Sequence, residues 1–134
     1  MSANTNVKTL KTILMMDAAT CLVFGLLLCL GTVPLAGWLG FPTDLLFYAG
    51  LILFPCAALM YLTGKQAQPN RHLVWLIIVG NVGWVVASFG LLALPSINPT
   101  MLGNAFVVVQ AIAVIILAGI EYRQLATTAK IITA

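Results

Sequence analysis

The sequence predicts an all-α integral membrane protein: four transmembrane helices in an up-down antiparallel bundle, with both termini cytoplasmic. Three observations carry this reading. Hydrophobic residues make up 62% of the 134 residues and charged residues 7%, against roughly 45–50% and about 25% in ordinary soluble proteins. Four stretches are long enough to cross the ~30 Å hydrocarbon core, which takes about 20 mainly apolar residues. All six Lys and Arg residues fall on one side of a four-span arrangement.

The same numbers exclude other classes. A mean hydropathy of +1.10 is too high for a soluble monomer or a disordered tail. A net charge of +3 is too sparse to neutralise a run of phosphates, so no nucleic-acid partner is expected. The alternating segments of about ten residues that a membrane β-barrel needs are not visible.

The first span covers 13–30 and follows Lys8 and Lys11. Basic residues before an apolar run also describe a signal peptide. Here the run is longer, carries Asp17 and lacks a small-x-small cleavage site, which favours a retained helix. The connection 31–44 is apolar, and Trp38 and Phe41 within it suit the headgroup level, with one helical turn expected there. The second span, 45–62, follows Pro42, with Thr43 and Asp44 as caps, and Gly64 is placed to close it in the left-handed conformation. Pro55 interrupts this span, and a simple kink is the expected consequence.

The third span, 73–94, opens after Asn70 and stops at Pro95. Asn98–Pro99 reads as a cap and first-turn proline opening the fourth span, 101–120. The connection 95–100 is short, so the third and fourth spans are expected to be antiparallel neighbours. Lys65 and Arg71 lie between the second and third spans, and Arg123 and Lys130 follow the fourth, whereas 31–44 and 95–100 carry no Lys or Arg. Positive flanks stay in the cytoplasm. The expected location is a cell membrane, in a prokaryote the plasma or inner membrane. Tyr48, Trp75 and Tyr122 fall near span ends and read as belt residues.

Catalytic signatures are missing. The chain has no P-loop, no G-x-G-x-x-G, no H-E-x-x-H and no G-x-S-x-G. The single histidine, His72, cannot supply bis-histidine haem ligation. Cys21, Cys29 and Cys56 form no C-x-x-C pair. No enzymatic activity, no cofactor and no metal site are expected.

Inside a membrane, a strongly polar residue is costly and is a functional candidate by default. Asp17, Asn81, Trp84 and Gln110 form the candidate ligand-binding set, with Thr20, Ser88 and Glu121 as supporting residues. Helical spacing puts Asn81, Trp84 and Ser88 on one stripe. It does the same for Asp17, Cys21, Phe24 and Leu28, and for Gly103, Phe106, Gln110, Val114, Leu117 and Glu121. Asn81 and Gln110 are expected at similar depth, with Asp17 nearer the cytoplasm and Glu121 at the inner end, so that the set converges on the inner half of the bundle. A plainer account is also open. An Asn81–Gln110 pair serves as interhelical glue, Gly80 and Gly83 allow close packing beside it, Glu121 is an interfacial carboxylate near Arg123, and Asp17 is hydrated or paired with Lys11.

Two functions fit this pattern. The first is a structural or accessory subunit, assembled as a homo-oligomer or in a larger membrane complex and surrounded by lipid bilayer. The small-residue faces around Gly25 and Cys29 and around Gly50, Ala57 and Gly64 suit it. The second is a small proton- or cation-coupled transporter or ligand-binding bundle using Asp17. In plan, four short spans with a carboxylate in the first, the chain is similar to the small multidrug resistance transporters. The resemblance is one of architecture. That family has a glutamate where this chain has Asp17, and Met15-Met16-Asp17-Ala18-Ala19 does not reproduce its motif.

The charge split generates a direct test. Reporter fusions after residue 134 should score as cytoplasmic and fusions within 31–44 as external; an external C-terminal fusion would overturn the orientation.

Overall fold

The computed structural model describes the backbone of residues 2–133 and the side chains of residues 7–127, so the Lys130 side chain in the charge pattern lies outside the described residues. Among the described residues there are five helices and no strands: α1 (Ser2–Leu30), α2 (Thr32–Leu39), α3 (Thr43–Lys65), α4 (Arg71–Leu92) and α5 (Met101–Thr133). Four of them are long and apolar enough to cross a membrane, over Val7–Leu30, Thr43–Lys65, Arg71–Leu92 and Met101–Thr127. The protein is accordingly a multi-pass membrane protein in its architecture. The long helices carry large apolar side chains on their exposed faces as well as in the core, as expected where the solvent is lipid.

Most element ends differ from the sequence expectation for local reasons. α1 begins well before residue 13, because nothing in 2–12 breaks a helix and Thr12 bonds back to the Lys8 carbonyl (3.0 Å). The connection 31–44 holds two turns of helix rather than one, closed by Gly40 at φ +78°, the left-handed conformation glycine adopts without strain. Phe41 does not sit among headgroups. It is 5% exposed, in the core. α3 is preceded by Pro42, with no side-chain cap from Thr43 or Asp44, and it runs through Gly64 to Lys65. Asn70 does cap α4, accepting from the His72 amide at 2.9 Å. α4 ends at Leu92, short of Pro95.

The cap of α5 is Thr100 rather than Asn98. Its hydroxyl accepts from the Gly103 amide (3.1 Å) and donates to the Trp38 carbonyl (2.7 Å), while its own amide donates to the Leu39 carbonyl (3.0 Å). One threonine thus opens α5 and satisfies two carbonyls left free at the end of α2. Gly103 allows this approach, since any Cβ there would collide with Leu39.

The long helices pack as two pairs. The most extensive contacts are α1 with α3 and α4 with α5, and α1 joins the pairs through α5, while α3 barely meets α4. The α1–α3 seam uses small residues as expected. A Cβ on Gly50 would lie 2.8 Å from Leu28 Cβ and 2.9 Å from Cys29 Sγ, and one on Gly25 would lie 3.1 Å from the Gly50 carbonyl. Without a hydrophobic drive between helices in lipid, such close packing is a main source of association. Gly80 and Gly83 differ from expectation. A Cβ on either meets nothing within 4 Å, because they lie on the outer face of α4.

The core falls into two apolar clusters. One gathers Leu10, Leu14, Ala18, Met60, Val74, Ile77, Ile78 and Leu125. The other gathers Leu28, Leu39, Phe41, Leu46, Leu53 and Val107. Contrasting glycine substitutions test the packing. Gly50→Val should lower stability in detergent by about 1–3 kcal/mol through overpacking, whereas Gly80→Ala should leave the thermal midpoint unchanged or slightly raised. Equal effects at both sites would contradict the α1–α3 seam.

Candidate functional site

Three of the candidate polar residues, Asp17, Asn81 and Glu121, sit within core stripes, one helical turn from neighbours that fix their direction. On α1, Asp17 lies between Leu14 and Cys21. On α4, Asn81 follows Ile77 and Ile78. On α5, Glu121 lies between Ala118 and Leu125. Packing those stripes together brings the three polar residues into one buried cluster.

Asp17, Asn81 and Glu121 are 2%, 7% and 0% exposed. The Asn81 amide nitrogen donates to Asp17 Oδ2 at 2.9 Å and to Glu121 Oε2 at 3.3 Å. The two carboxyl groups are within hydrogen-bonding reach of each other. Cys21 Sγ lies 3.7 Å from Met60 Sδ and 4.0 Å from Asp17 Oδ1. Glu121 Oε1 is fully buried and has no hydrogen-bond partner. Of the four carboxyl oxygens, two accept from the Asn81 amide, one faces the Cys21 thiol at 4.0 Å and one has no partner. Two bare carboxylates in this apolar setting would repel each other with little solvent to screen them. A proton shared between them would remove that repulsion and supply the missing donor.

A second polar cluster is separate. Trp84 Nε1 donates to Gln110 Oε1 (2.8 Å), Gln110 Nε2 donates to Ser88 Oγ (3.1 Å) and to the Val107 carbonyl (3.0 Å), and the Ser88 hydroxyl donates to the Trp84 carbonyl (2.7 Å). Every donor in this chain of bonds meets an acceptor. It ties α4 to α5.

The convergence expected from sequence is thus divided in two. Asn81 bonds to Asp17 and Glu121 rather than to Gln110. At 1.5 Å per residue, about 16 Å of helix separates Gln110 from Glu121. Glu121 is not an interfacial carboxylate beside Arg123. It points inward while Tyr122 and Arg123 are exposed, with Tyr122 set edge-on to Trp75 at 5.7 Å. Asp17 is buried and accepts from Asn81, with no ion pair to Lys11 among the described residues. Thr20 takes no part, because its hydroxyl donates to the Met16 carbonyl of its own helix (2.9 Å) on the exposed side. Among the described residues no group of three or more His, Cys, Asp and Glu residues is arranged to hold a metal ion.

Helical spacing alone puts Glu121 on the inward face of α5, although the sequence suggests only a supporting role for it. The missed signal was Ala118 and Leu125, which continue the core stripe on both sides of it.

The division into two clusters is measurable by double-mutant cycles. Trp84→Phe and Gln110→Leu should couple by about 0.6–2 kcal/mol, the range for interhelical hydrogen bonds in lipid. Asn81→Leu and Gln110→Leu should be additive within about 0.5 kcal/mol. Strong coupling of the second pair would restore the single-pocket arrangement.

No protein family, curated protein or solved structure matches the chain, so the likeness to the small multidrug resistance transporters remains one of plan alone.

Proposed function

We propose that this chain is a small proton-coupled membrane carrier that binds and releases a proton at the Asp17–Glu121 carboxyl pair and has no enzymatic activity of its own. Its four spans run up and down, with both termini in the cytoplasm, on the strength of the one-sided Lys and Arg distribution. The observation that carries the functional reading is the surplus of acceptors. Two fully buried carboxyl groups share a single amide donor, and one carboxyl oxygen has no partner.

A cluster built only to hold helices together does not need two carboxyl groups. Even the lenient insertion scale charges about 2.5–3.5 kcal/mol for an aspartate at the centre of a span. The Trp84–Gln110–Ser88 network joins the same two helices, α4 and α5, with neutral groups alone. Carboxyl groups add the capacity to exchange a proton or to hold a cation, which is their usual employment inside membranes. Proton release would leave two charges facing each other across the α1–α5 contact, the joint between the two helix pairs. Proton occupancy would therefore be coupled to how tightly the pairs close.

A second reading, a packing subunit in a homo-oligomer or larger membrane complex, has a specific observation in its favour. Gly80, Gly83, Ala87 and Gly90 form an exposed stripe on α4, and a Cβ added to any of the three glycines meets nothing within 4 Å. Faces of this kind allow another helix to approach closely.

Infrared spectroscopy of the protein in lipid vesicles tests the proton site. The chain has only three acidic residues, and Asp44 is exposed, so a protonated-carboxyl C=O band at neutral pH would come from the buried pair. Wild type should show that band and lose it on titration to high pH. Asp17→Asn should still express and assemble, since the amide can replace the shared proton as donor to Glu121, but its proton exchange should be abolished. The absence of a protonated-carboxyl band in wild type at neutral pH would overturn the reading.

A further inference from the structure

The outer face of the α1–α3 seam carries a feature that the carboxyl pair does not explain. Two open grooves, of about 570 and 500 Å³, run end to end along it and share Met15 and Ala19. The first is basic at its mouth. Lys11 of α1 and Lys65 of α3 flank it, with Thr12 beside them and Gly64 in its floor. The second is wholly apolar apart from the Tyr61 hydroxyl, floored by Ala18 and Ala57 and walled by Leu22 and Phe54.

Close helix packing creates this arrangement. A Cβ on Gly64 would lie 3.2 Å from Leu14 Cβ and 3.5 Å from the Lys11 carbonyl. That approach sets the two lysines on opposite lips of one groove. Lys65 Nζ also stands 6.0 Å from the Tyr61 ring centroid, within the range in which an aromatic face attracts a cation. The acidic residues are elsewhere. Asp17 and Glu121 are turned into the core, and Asp44 begins α3 at the end away from Lys65. Neither groove counts an acidic residue in its lining.

We infer that the paired grooves are a binding site for one anionic phospholipid, its phosphate held between Lys11 and Lys65 and one acyl chain laid along the apolar track between α1 and α3. The dimensions agree. From Lys11 to Leu22 the helix rises about 16 Å, close to the ~15 Å depth of one leaflet of hydrocarbon. The charge agrees as well, since basic residues between helices at a membrane surface favour anionic headgroups by about 1 kcal/mol each. The alanine floor admits a chain that larger side chains would exclude. The site is independent of the Asp17–Glu121 proton reading, and none of its lining residues belongs to that cluster.

Native mass spectrometry tests the assignment on the full chain extracted from vesicles of equal phosphatidylglycerol and phosphatidylcholine content. Wild type should retain one phosphatidylglycerol at several-fold excess over phosphatidylcholine. The double variant Lys11→Gln, Lys65→Gln should retain both lipids equally. Ala19→Trp keeps both lysines and fills the shared segment from an exposed position; it should lower retention of either lipid several-fold. Equal retention by wild type, persistent phosphatidylglycerol excess in the double variant, or full retention in Ala19→Trp would each overturn the site. Thermal midpoints of the variants close to wild type would show that the fold is intact.

Discussion

One amide group makes the buried polar junction between the two halves of this molecule. Asn81 Nδ2 donates to a carboxyl of α1 and a carboxyl of α5 at once. Lipid is as apolar as leucine, so burying leucines against each other gives helices in a bilayer little reason to associate. Close packing supplies that reason along the α1–α3 seam, where glycines let the backbones approach. Between the pairs, the contact of α1 with α5 is less extensive, and a directional polar junction fixes its register. Sliding either helix by one residue would leave a carboxyl group buried without its donor, an arrangement that costs several kcal/mol in hydrocarbon.

The two polar clusters show how differently the same device can be used. Trp84, Gln110 and Ser88 form a chain in which each donor meets an acceptor, so the cluster is complete as it stands. Asp17 and Glu121 bring more acceptors than the surrounding residues can satisfy. Under the proposed function a proton would complete the second cluster, and its loss would undo it. The reading of this chain as a proton-coupled carrier rests on that asymmetry, and the accessory-subunit reading rests on the outward stripe of α4. The basic mouth of the α1–α3 groove belongs to neither.

Much of the fold was legible in the sequence because lipid imposes a simple rule on length and composition. The four spans and the inward faces of α1, α4 and α5 followed from apolar runs and from i, i+3, i+4 spacing. Pairing by depth was not legible. Asn81 could meet Gln110 or Glu121 according to how α5 is shifted along α4, and periodicity is blind to such a shift. Glu121 was misjudged because Tyr122 and Arg123 next to it resemble an interface, while the helix turns its neighbours outward and Glu121 itself inward. Gly80 and Gly83 were expected at a packed seam, yet glycine is equally at home on an open face. The opening of α5 was set by Thr100, since the free carbonyls of Trp38 and Leu39 select it, a tertiary demand that no local cap signal at Asn98 contains.

The central claim is that a single Asn81 amide bridges Asp17 and Glu121 inside the membrane. Solid-state NMR of the labelled protein in lipid bilayers reads this directly. Through-space correlation should link Asn81 ¹⁵Nδ2 to both the Asp17 ¹³Cγ and the Glu121 ¹³Cδ. Correlation of Asn81 with Gln110 instead, or of Glu121 with water and not with Asn81, would contradict the account.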